Sequence, residues 1–207
     1  MLLTRSHSSP SPRRGLGLLP VTCGVCGRPG PSPCAACRPA LVPAPPLAAS
    51  APLASMAALL AYEDGARRLV LGVKARHERA AVAWLADGLA LLLPTVDLVT
   101  WAPSTRGRAA RGGVDHARLL ALAVAERAGV RGHATLRRLP GPAQHGRTRA
   151  DRLEHGPSFA PRYDLAGLRV AVIDDVVTTG ATLVAAGRAL RAAGAGRVHG
   201  LAAAATL

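Results

Sequence analysis

Two clusters of residues in this chain have types and spacing suited to chemistry. The first is the stretch RVAVIDDVVTTGATL at 169–183, which sets two carboxylates, Asp174 and Asp175, after an apolar run and ahead of Val177, Thr178, Thr179, Gly180, Ala181 and Thr182. Adjacent carboxylates are good acceptors for sugar hydroxyls. A Thr/Gly loop that passes straight into a helix gathers free backbone N–H groups, hydroxyl donors and the positive end of the helix dipole on one small volume, which suits a monoester phosphate. Gly180 allows close approach of the backbone to a ligand. Ordinary helix capping by a Thr-rich turn is the alternative reading of the same residues. No G-x-x-x-x-G-K-[ST] occurs and no G-x-G-x-x-G follows a strand, so P-loop and dinucleotide-binding readings lack their parts.

The second cluster is CGVCGRPGPSPCAAC, in which Cys23, Cys26, Cys34 and Cys37 form two C-x-x-C pairs joined by a turn-rich segment; these are all the cysteines of the chain. Each pair brings two thiolates to one ion from a single tight turn, and two pairs supply the four soft ligands that tetrahedral zinc prefers. A filled shell of four points to a structural Zn2+ with no open catalytic position. Free thiols or a redox pair are the alternatives, but a redox C-x-x-C needs no second copy.

The elements that must position these residues follow from the pattern of the chain. At 207 residues it is long enough for one α/β domain and a small appendage. Residues 1–20, rich in Ser, Pro and Arg, read as a disordered tail or as the product of a start codon placed too early. Residues 21–40 form the cysteine ribbon, 41–55 a proline-rich linker expected to be disordered, and 56–207 the main domain. There, alternating helical and strand periods predict a parallel sheet flanked by helices. A strand is expected at Leu69–Val73, ending at Lys74, then a helix over Glu78–Leu93 and a strand over Val96–Trp101. Asp115 is expected to cap a helix whose Leu119, Leu122 and Ala123 face inward, and Val170–Ile173 to be a buried strand carrying Asp174 and Asp175 at its carboxyl end. The polar segment 140–157, with Gln144, Arg147, Arg149 and Arg152, reads as a surface loop.

Basic residues outnumber acidic ones by 26 to 12, and all but Lys74 are arginine, which suits bidentate phosphate recognition. A general replacement of lysine by arginine explains the same excess, so charge alone does not identify a nucleic-acid partner. The absence of an apolar stretch of spanning length gives the expectation of a soluble, cytoplasmic protein without a membrane span.

IDDVVTTGATL resembles the phosphoribosyl pyrophosphate signature of type I phosphoribosyltransferases. Together with the four-cysteine ribbon, Lys74, the arginine-rich loop leading into DHARLLALAVA, and Gln144 with Arg152, residues 20–207 resemble ComF-type competence proteins. The resemblance implies a type I phosphoribosyltransferase-like parallel sheet with a small N-terminal zinc ribbon. It implies that Asp174 and Asp175 hold ribose hydroxyls and that residues 178–182 hold the 5-phosphate. The turn 102–105 would face the pyrophosphate, with Lys74, Arg111, Gln144 and Arg152 closing over it and Mg2+ accompanying phosphoribosyl pyrophosphate. Gly112, Gly113 and Val114 stand where similar proteins carry Arg-Gly and an aromatic, which displaces Arg111 by one position. Thr178 stands where several catalytic relatives carry an acidic acid/base residue. The absence of any cysteine outside the ribbon sets aside a glutamine-dependent amidotransferase. Two functions are therefore implied: a transferase of open acceptor, including nucleobase or nucleotide salvage, and an accessory of DNA uptake whose partners would be single-stranded DNA and a helicase.

Overall fold

In a computed structural model of the chain, residues 21–76, 79–104, 115–140 and 157–206 are described. A five-stranded sheet in the order β1-β7-β6-β2-β3 forms its centre, and every pairing in it is parallel. The strands are β1 (Ser55–Ala61), β2 (Leu98–Trp101), β3 (Arg131–Gly132), β6 (Arg169–Val177) and β7 (Arg197–Ala205). A separate antiparallel pair, β4 (Leu136–Arg138) and β5 (Phe159–Pro161), stands apart from this sheet. The helices are α1 (Asp64–Arg76), α2 (Arg79–Leu92), α3 (His116–Ala128) and α4 (Ala181–Ala192).

A parallel sheet must be covered on both faces. On one face Val99, Trp101, Ala171, Ile173, Leu201 and Ala203 share a core with Leu69, Val70, Leu85, Leu89, Leu120 and Val124 of α1, α2 and α3. On the other, Leu98, Val170, Val172, Val198 and Ala202 meet Leu183, Ala186 and Leu190 of α4, together with Leu136 and Phe159 of the small pair. Successive strand residues point to opposite faces, so β6 feeds both cores in turn. Val170 through Ile173 are fully buried, as expected of a strand with no solvent side. Among the described residues no helix is long and apolar enough to cross a membrane.

Three expectations are corrected. Residues 69–73 form the middle of α1 rather than a strand, and Lys74 lies in that helix, its side chain outside the described residues. The strand that precedes α1 is the alanine-rich β1, S-M-A-A-L-L-A. The inward face of α3 centres on Leu120, Ala121, Val124 and Ala125; of the residues expected there, Ala123 packs partly buried against the same core, Leu119 is half-buried and Leu122 is exposed, because α3 presents apolar residues all around and packing chose the neighbouring stripe. The segment expected to be a disordered linker runs beside β1: Ala44 N–H donates to Leu59 O, Ala61 N–H donates to Val42 O, Pro43 bridges Leu60 antiparallel, and Leu41 and Leu53 are buried.

Helix ends and edges obey elementary chemistry. Asp115 caps α3, its carboxylate accepting from the amide of Arg118, and Gly129 closes the same helix at φ 64°. At the amino edge of the sheet Asp97 accepts from the backbone N–H of Arg169 at 2.8 Å and from its guanidinium at 3.0 and 2.6 Å, which holds its carboxyl down at about 2. There too, Ser55 Oγ and His199 Nδ1 share a hydrogen bond of 2.8 Å across β1 and β7; burial, followed by the charge of Arg197, lowers the pKa of His199.

Candidate functional site

The carboxyl ends of β2 and β6 lie side by side, with Trp101 opposite Ile173, and the chain leaves both strands into loops that open on the same end of the sheet. In open α/β sheets this end is where ligands bind. Here a cleft of about 250 Å³ is lined by Asp174, Asp175 and Val176 of β6, Thr182 of α4, the turn Ala102, Pro103 and Ser104 after β2, Asp115, His116 and Ala117 at the start of α3, and Arg138 of β4. The strand runs past both aspartates to Val177, because β7 continues to pair with it through Asp174↔Ala202, Val176↔Ala204 and Val177↔Ala205. Both carboxylates are half-buried in this extended part, and the amide of Asp175 donates to Asp174 Oδ1 at 2.8 Å.

A second, smaller hollow adjoins the cleft, lined by Asp174 and residues 176–183. Its floor is the turn into α4. Gly180 caps that helix at φ 75°, a left-handed conformation that L side chains avoid. Thr179 Oγ1 accepts from the amide of Ala181 at 3.3 Å and so fixes the turn. Thr178 is exposed, Val177 is buried, and the hollow is lined also by Ala181, Thr182 and Leu183 of the first turn of α4, whose amides have no carbonyl within the helix to bond. An anion is the natural occupant of such a turn.

The far wall of the cleft is braced by side chains. Asp115, besides capping α3, accepts from the amide of Ser104 at 3.3 Å, and Arg138 Nη1 donates to Pro103 O at 3.4 Å. Arg138 also lies over the ring of Phe159, 5.6 Å from its centroid. Beneath the turn, Thr135 Oγ1 donates to Thr100 Oγ1 at 2.8 Å within the buried core.

Of the residues expected at this site, Asp174, Asp175 and Thr182 line the cleft, and Val177, Thr178, Thr179, Gly180 and Ala181 line the hollow beside it. Arg111, Gln144 and Arg152 lie outside the described residues. The expected facing turn contributes Ala102, Pro103 and Ser104. His116 and Arg138 are additional lining residues; His116 stands in the DHARLLALAVA stretch, whereas Arg138 had no sequence signal, since it reaches the cleft only through the small antiparallel pair.

The four cysteines form the other candidate site. Their sulfur atoms all lie within 4.8 Å of one another, and Cys26 Sγ and Cys34 Sγ are 3.8 Å apart. Four sulfurs at about 2.3 Å from a tetrahedral zinc would be ~3.8 Å apart, so the cluster has the dimensions of the ion's shell. The turns are tied by Gly27 N–H to Cys23 O, Cys34 N–H to Cys23 Sγ and Gly24 N–H to Ser32 Oγ. Burial works to raise the pKa of Cys23, but the amides of Cys34, Cys26 and Val25 outweigh it and bring the thiol down to about 6; Cys37, chiefly through its hydrogen bond with the Cys34 thiol, is pushed up to about 12. Four thiol sulfurs at this spacing match the soft, tetrahedral shell of a zinc ion, and these residues fit one.

No family model matches the chain, and no curated protein is similar to it at a significant level. Similar solved structures include glutamine phosphoribosylpyrophosphate amidotransferase from B. subtilis, 24% identical with a TM-score of 0.42 over 59% of this chain and 26% of that one. Orotate phosphoribosyltransferase from Aeropyrum pernix is 23% identical, with a TM-score of 0.35 over 66% of this chain and 62% of that one. Purine phosphoribosyltransferase from Pyrococcus horikoshii is 18% identical, with a TM-score of 0.36 over 67% and 70%. The chain thus spans about a quarter of the length of the amidotransferase it matches.

Proposed function

We propose that the cleft binds a phosphorylated ribose, and that phosphoribosyl pyrophosphate is the ligand that fills it. The observation that carries this reading is the meeting of two adjacent carboxylates, an anion-suited helix turn and a facing turn around one cleft. Asp174 and Asp175 would accept from the ribose 2′ and 3′ hydroxyls. Residues 178–182 would hold the 5-phosphate through backbone and hydroxyl donors, and the turn at 102–104 with Arg138 would face the pyrophosphate. The carboxylates are hard oxygen donors of the kind Mg2+ takes, and that ion would neutralise charge on the pyrophosphate.

Thr178 cannot titrate near neutral pH, so transfer at this site calls for an acceptor that needs no base there. In that reaction an acceptor nitrogen forms its bond to ribose C1 as the bond from C1 to pyrophosphate breaks. The leaving oxygen takes the electron pair, and the nitrogen's proton goes to solvent. Calorimetric titration with phosphoribosyl pyrophosphate and Mg2+ tests the binding; absence of heat would overturn the assignment. A pyrophosphate-release assay with purines and pyrimidines then decides between an active salvage transferase and a binding protein.

A ComF-type role in DNA uptake is the second reading, and a surface feature favours it. Arg131, His133, Arg137, Arg162 and Tyr163 are all exposed around β3, β4 and β5, with the His133 and Tyr163 rings 4.9 Å apart. Guanidinium groups beside exposed rings suit single-stranded DNA, through phosphate contacts and base stacking. A cytoplasmic location and a helicase partner belong to this reading. Filter binding of single-stranded DNA should weaken steeply with salt, and insensitivity to salt would count against it.

A further inference from the structure

The cleft and the phosphate hollow are two members of a row of three. A third cavity, of about 430 Å³, lies along the outer side of α4 and is lined by Ser50 and Ala51, by Pro157, Ser158 and Phe159, and by Val184, Ala185, Arg188 and Ala189 of the helix. The walls are shared in sequence. Asp174, Val176 and Thr182 line both the cleft and the hollow, while Thr179 and Ala181 line both the hollow and this outer groove. A phosphate seated against residues 178–182 therefore adjoins both the cleft and the groove.

We propose that the outer groove takes a nucleoside attached to the ribose through its 5-phosphate, so that the ligand class of this protein extends to a nucleoside diphosphoribose. This rests on the ribose-phosphate reading of the cleft. The groove has the volume of a small-molecule site. Its chemistry suits a nucleoside on a diphosphate: Arg188, exposed on α4, lines the groove and supplies a guanidinium for the second phosphate, Phe159, Val184, Ala185 and Ala189 offer an apolar wall to a base, and Ser50 and Ser158 offer hydroxyls. The turn is open on that side as well. Thr179 and Ala181, the two residues shared with the groove, are only half-buried, so the hollow is not sealed around a terminal phosphate there.

The test compares ribose 5-phosphate with ADP-ribose by calorimetry on the full chain, in parallel with the Arg188→Glu variant. The expected result is that ADP-ribose binds about tenfold tighter or better, and that Arg188→Glu removes this advantage while ribose 5-phosphate binds as before. Because Arg188 is exposed, the variant should melt at the temperature of the parent chain. Equal affinities for the two ligands, or an ADP-ribose advantage that survives Arg188→Glu, overturn the groove proposal while leaving the cleft reading in place. Binding of neither ligand overturns both, and that outcome is told apart by the missing ribose 5-phosphate signal.

Discussion

The cysteine cluster and the aspartate cleft are built on opposite principles. The cluster draws all its ligands from residues 23–37, an uninterrupted stretch whose turns are closed by its own amides. The cleft draws its walls from residues scattered between 102 and 182, brought together because parallel strands release their loops at one end of the sheet. A site made by local spacing stands or falls with its ion. One made by topology is a composite, whose parts can be removed singly while the sheet stays folded.

The largest difference should appear on removing a cysteine. Cys23→Ser is expected to lose the full equivalent of bound zinc, with the ribbon's order lost as well, since metal binding in such modules supplies about 10–16 kcal/mol of folding energy. Metal analysis with circular dichroism checks this, and a variant that keeps its zinc would break the contrast. In the cleft, Asp174→Asn with Asp175→Asn should abolish measurable ribose-phosphate binding at unchanged melting temperature. Each hydrogen bond to a charged group contributes about 1.5–3 kcal/mol, so the pair is worth a hundredfold or more. Gly180→Ala is expected to cost about 1 kcal/mol of stability and to weaken phosphate binding; the new methyl would sit 3.5 Å from Met56, an ordinary contact, so the cost lies in the left-handed backbone. Asp115→Ala should also cost about 1 kcal/mol through the lost cap of α3, and it should lower affinity for a pyrophosphate-bearing ligand more than for ribose 5-phosphate, because Ser104 loses its anchor.

The smallest effect lies far from both sites. Asp97, held at about 2 by Arg169, contributes stability that is complete above the ordinary carboxylate range and is lost as pH falls toward 2. Asp97→Asn should flatten that acid limb without altering ligand binding at neutral pH, as acid titration followed by circular dichroism would register.

The contrast between the sites also explains what could be read from the residues alone. The C-x-x-C spacing contains the whole cluster, and the passage from Ile173 through the aspartates to Thr182 contains the turn into α4 that lines the hollow, because both are stretches of continuous chain. The first strand was hidden by composition. S-M-A-A-L-L-A is rich in a strong helix former, while L-V-L-G-V in α1 is a short apolar run that periodicity cannot assign to helix or strand. Sheet position decided both, since β1 lies beside β7 and α1 crosses back over the sheet. Arg138 escaped for a related reason: its place in the cleft depends on β4 pairing with β5 and on its reach to Pro103, neither of which is a property of neighbouring residues.

The proline-rich run beside β1 bears on how the protein behaves in a crowded solution. A sheet ending at β1 would offer its last row of amides and carbonyls to any extended chain that came near, including another copy of itself. Residues 42–44 occupy part of that row, and Pro43, Pro45 and Pro46 have no N–H to offer to a further strand. The segment thus hems the fabric of the sheet, so that a strand added from outside finds a finished border where it would otherwise find a template for growth.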